Sequence, residues 1–100
     1  MNEKNSILIV DDEKSNLLYL NSILSADYTI YTARSGLEGI KRASELGPDL
    51  ILLDIVMPEM DGYEALVALK GSEKTRAIPV IFITGLSGSE DEARGLALGA

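Results

Sequence analysis

Four polar side chains stand where apolar runs end. Asp11 and Asp12 follow "ILIV", Asp54 lies in "LILLDIV", and Thr84 closes "IPVIFIT". Asp54 is the conspicuous one, because an unpaired acid among Leu and Ile is costly to bury. Three carboxylates brought together repel one another and raise each other's pKa values. A hard divalent cation relieves that repulsion. Mg²⁺ suits such a site, since it takes oxygen ligands, keeps several waters and needs only one or two carboxylates plus a phosphate. The chain has no Cys and no His. That removes thiolate chemistry, imidazole catalysis and the ligands that transition metals favour. Beside a cation, Asp54 can serve as a nucleophile toward phosphorus, with the Thr84 hydroxyl and the metal stabilising charge on the transferring oxygens. Each residue also has an ordinary role: Asp12 in "DDEKSN" can cap a helix, and Thr is common in strands. The grouping at strand ends is the sharper signal.

The elements that must position these residues are visible in the hydropathy pattern. Short apolar runs at 7–10, 28–33, 50–56 and 78–84 predict four strands. Three lack polar alternation and are expected to be covered on both faces. The run at 28–33 alternates more and reads as an edge. Between them lie helical patterns. In 14–25, Leu17, Leu20 and Leu24 form a stripe flanked by Leu18 and Ile23; in 35–46 the stripe is Leu37, Ile40 and Ala43. Shorter stripes occupy 62–70 and 89–98, and Gly47-Pro48 stops the second helix. Ser35 and Ser87 or Ser89 are candidate N-caps. "MPEMDG" (57–62) reads as a shaped loop, with Asp61-Gly62 either a turn pair or a helix start and Met57 and Met60 packing over the core. The β-α alternation predicts an α/β domain with a doubly wound parallel sheet and its ligand crevice at the carboxyl ends of the strands. Strand order 2-1-3-4 would make strands one and three neighbours and bring the three acids together.

The totals set bounds. One hundred residues make one domain, 1–100, with 46% apolar and 25% charged residues, as in soluble globular proteins. A net charge of −7 argues against direct contact with nucleic acid; it fits acids that hold a cation, or simple solubility. No signal-peptide core and no membrane-spanning run is visible, so a cytoplasmic location without a membrane partner is expected.

At "ILIVDDE", "LILLDIVMPEMDGYE", "IPVIFITG" and "GLALGA" the chain resembles the receiver domain of a two-component response regulator, in order and over its whole length. The resemblance implies a flavodoxin-like fold and a phosphorelay switch rather than a classical enzyme. Asp54 would be the phosphoacceptor, Asp12 the direct Mg²⁺ ligand with Asp11 assisting through water, and the Val56 main-chain carbonyl would complete the ligands. Thr84 would be the switch hydroxyl, and Gly85 would leave access to the acyl phosphate open. The donor would be a phosphohistidine on a sensor histidine kinase or phosphotransfer protein.

The family pattern continues into a fifth strand bearing an aromatic switch residue, then a lysine and a fifth helix. This sequence stops at Ala100, before them. Lys70 and Lys74 precede strand four and cannot replace that lysine. The chain is therefore expected to be an incomplete receiver that switches weakly by itself, with strand four open to self-association. The alternative is a phosphorylation-independent interaction module on the same fold. Two enzyme readings fit poorly: "DDEKSN" would repel a flavin phosphate, and Val56 stands where a dehalogenase-type phosphatase needs a second Asp.

Overall fold

The computed structural model describes residues 4–83. The expected helix at 89–98 and its caps, Thr84 and Gly85 lie outside that range. Within it the order is β1 (Ser6–Val10), α1 (Lys14–Leu24), β2 (Thr29–Ala33), α2 (Gly36–Leu46), β3 (Leu50–Asp54), α3 (Gly62–Lys70) and β4 (Val80–Ile83). All pairings are parallel and the strand order is β2-β1-β3-β4. The expected doubly wound, flavodoxin-like sheet is present, with β2 at one edge of the described strands.

β1 shows why its run carries no polar alternation. Leu8 and Val10 face a core shared with Ala43 of α2 and Ala65, Leu66 and Leu69 of α3; Ile7 and Ile9 face Leu17 of α1. Both faces are covered, so every position from Ile7 to Val10 must be apolar. Burial of such side chains contributes roughly 1.5–3 kcal/mol each.

Local chemistry sets the helix ends. The Ser35 hydroxyl accepts the Glu38 N–H at the start of α2, and Gly47 closes that helix at φ 56°. Few residues other than glycine take that conformation cheaply. Asp61 and Glu64 form a reciprocal capping box on α3, so Asp61-Gly62 is a helix start.

β3 ends at Asp54, as expected, within an apolar run that continues to residue 56; the chain then turns outward, leaving Val56 62% exposed while Met57 returns to the core. Two expectations are corrected. On α1 the stripe is Leu17, Leu20 and Leu24; Leu18 and Ile23 are exposed. On α2, Leu37 is also exposed. The buried face there is Gly36, Gly39 and Ala43, small residues that let the helix approach Val10 of β1 and Met60.

Candidate functional site

Register brings the acids together. Val10 of β1 is level with Leu53 of β3, so Asp11 and Asp54 each stand one residue further along neighbouring strands. The Asp11 N–H still donates to Ala33 O at 3.0 Å, which extends the β1–β2 pairing past the end of the strand. One carboxylate oxygen from each of Asp11, Asp12 and Asp54 lies within 4.8 Å of the others. Among the described residues, no Lys or Arg is paired with any of the three.

Each acid has its own surroundings. Asp11 is fully buried; its Oδ1 accepts the Glu13 N–H at 2.9 Å and its Oδ2 accepts Asn16 Nδ2 at 3.1 Å. Asp12 is half-buried, and its main-chain carbonyl accepts Arg34 Nη2 at 3.1 Å. Asp12 does not cap α1: the N-cap is Glu13, without a side-chain bond, and Asp11 takes the Glu13 N–H instead. Asp54 is 7% exposed. Its carboxyl is pushed up from the usual 3.8 to about 7, first by burial and then by the charge of Asp11. A hydrogen bond with the Asp11 side chain and the charge of Asp12 add to the rise, while the Val56 N–H pulls the other way. Val56 thus brings its main chain to the site, although its side chain points to solvent.

The loop after Asp54 is built tightly. Met60 N–H donates to Pro58 O at 2.7 Å, Glu59 takes φ 67°, and the Gly62 N–H returns to Ile55 O at 2.8 Å. A Cβ on Gly62 would stand 2.4 Å from the Asp54 carbonyl oxygen and 2.8 Å from Ile55 Cα. Only glycine fits there, so the Asp-Gly pair both caps α3 and lets the helix start against the strand end that carries Asp54.

Three oxygen-bearing acids with no Lys or Arg paired to them among the described residues make a donor set that fits a hard divalent ion. Sequence reasoning found the acids and missed their supports. Arg34 was not singled out, yet it ties the end of β2 to the Asp12 main chain. Asn16 was not singled out either; its only signal was a short amide five residues after Asp11, in the first turn of a helix. Lys70 donates to the carbonyls of Arg76 and Ile78, ahead of β4 and away from the acids. Thr84, the expected hydroxyl, lies outside the described residues.

The sequence of residues 7–100 matches the family model for the response regulator receiver domain. The chain belongs to that family. Receiver domains are signalling domains of two-component systems. The chain is 47% identical over 95 residues to a probable cyclic di-GMP phosphodiesterase of Vibrio cholerae, covering 95% of this chain and 22% of that protein. It is 42% identical over 90 residues to the polar-differentiation response regulator DivK of Brucella ovis, covering 89% of this chain and 73% of the relative. The chain therefore spans about a fifth of the first relative and most of the second. Among solved structures it resembles the receiver domain of a sensor histidine kinase from Pseudomonas aeruginosa. That match has a TM-score of 0.84 and 26% identity, and covers 97% of this chain and 80% of that one. The Pseudomonas structure holds a magnesium ion in its active-site cleft. Among the described residues of this receiver domain, no helix is long and apolar enough to cross a membrane.

Proposed function

We propose that this receiver domain is a phosphorelay switch in which Asp54 accepts a phosphoryl group from a phosphohistidine of a sensor kinase or phosphotransfer protein. The observation that carries the reading is the convergence of Asp11, Asp12 and Asp54 at neighbouring strand ends without a cationic partner among the described residues. Asp11, Asp12, Asp54 and the Val56 carbonyl would hold Mg²⁺, which when bound offsets negative charge on the phosphoryl oxygens. The Asp54 carboxylate attacks phosphorus; the P–N bond breaks, and its electron pair leaves with the imidazole of the donor. Thr84 would donate its hydroxyl to the acyl phosphate and carry the change to a partner surface. Burial of Asp54 limits water at the acyl phosphate, which favours a phosphorylated state that persists.

The test is incubation with Mg²⁺ and a small acyl phosphate or phosphoramidate, using a chain extended past residue 100. Intact-mass and acid-lability measurements are expected to show one phosphoryl group, lost in Asp54→Asn. An unmodified protein would overturn the switch reading in favour of the phosphorylation-independent interaction module.

A further inference from the structure

Asp11 has no exposure to solvent, so packing and protein partners set the plane of its carboxylate, the Asp54 side chain among them. A donor on Oδ1 constrains one oxygen, and a donor on the other oxygen adds an independent constraint on rotation about the Cβ–Cγ bond. Glu13 supplies the first from two residues away, as an Asx-turn. Asn16 supplies the second from the first turn of α1. Helix formation does not call for an Asn there: its propensity is modest, and the residue is not the N-cap.

We infer that Asn16 is a positioning residue whose amide fixes the plane of the Asp11 carboxylate, so that the acidic cluster selects Mg²⁺ over larger cations such as Ca²⁺. The inference rests on the reading of Asp11, Asp12 and Asp54 as metal ligands. Mg²⁺ demands near-ideal octahedral geometry at about 2.0–2.1 Å, whereas Ca²⁺ accepts irregular shells at about 2.3–2.6 Å. Releasing the Asp11 plane therefore penalises Mg²⁺ more than Ca²⁺. Outer-shell donors of this kind typically carry roughly 10–100-fold in metal affinity.

The experiment is calorimetric titration of the chain, and of Asn16→Leu and Asn16→Ala, with MgCl₂ and CaCl₂ in separate arms. Leu has similar bulk and a better helix propensity, and Ala is the best helix former, so a loss of affinity in these variants is not a melted α1. Metal-free thermal melting checks that each variant is folded. Mg²⁺ affinity is expected to fall at least about 10-fold and Ca²⁺ affinity by less than about threefold, lowering selectivity. Two results overturn the inference: Mg²⁺ affinity within about twofold of the parent in a folded variant, or equal weakening of both cations. A parent chain that binds no Mg²⁺ overturns the metal reading itself, which is a distinguishable failure.

Discussion

β3 has an aspartate at each end, and the fold treats the two in opposite ways. Asp49, one residue ahead of the strand, is exposed, and its Oδ2 accepts the Ser6 N–H at 2.7 Å and the Ser6 hydroxyl at 3.3 Å. Its own N–H returns to Ser6 O at 2.9 Å. Asp54, five residues on, is buried beside two other acids, with the Val56 N–H favouring its charge. The first carboxylate is spent on joining β1 to β3. The second has no Lys or Arg paired with it among the described residues. A strand can thus be anchored at its amino end and left reactive at its carboxyl end, each by the company one acid keeps.

Replacing Asp54 tests that contrast most severely. An acid with a raised folded pKa binds its proton more tightly in the native state than in the unfolded one. Its contribution to stability is therefore fully present below about pH 4 and lost as pH rises through about 7. Without metal, Asp54→Asn is expected to stabilise the chain at pH 8 by on the order of 2–4 kcal/mol, with the gain shrinking toward pH 4. Urea melts across pH check this; a gain that does not depend on pH would break the comparison. Gly62→Ala attacks the same end through packing, since the new Cβ meets rigid backbone at Asp54 and Ile55. A loss of roughly 1–3 kcal/mol is expected in the same melts, together with a displaced Asp54 amide resonance. At the other end, Asp49→Ala removes two hydrogen bonds at an exposed site. A loss of about 1 kcal/mol is expected, with little effect on Mg²⁺ titration; an equal effect on metal binding would show that the two ends are not independent.

Much of this was legible in the sequence because β-sheet chemistry is periodic. The apolar runs located the strands, and their order placed Asp11 and Asp54 on neighbours. What escaped depends on distances of closest approach. Leu37 read as a core residue, but the Gly36–Gly39–Ala43 face of α2 comes so near Val10 and Met60 that only small side chains fit. Hydropathy ranks Leu above Gly and so misplaces Leu37, while Ile40 and Ala43 of the expected stripe do face the core. Asn16 and Arg34 escaped for a related reason: both act through single bonds to residues brought near by the turn after β1 and by the β1–β2 pairing. The outward turn at Val56 was hidden inside an apolar run.

The bond from the Gly62 N–H to Ile55 O has a further consequence. It joins the two feet of the loop, so residues 56–61 form a closed detour rather than a link under tension. The identity of the others can drift without shifting the register of β3 or the start of α3, provided that Met57 and Met60 keep their seats in the core and Asp61 keeps its cap on α3. The surface beside the acidic cluster is in that sense interchangeable, while the cluster itself stays fixed.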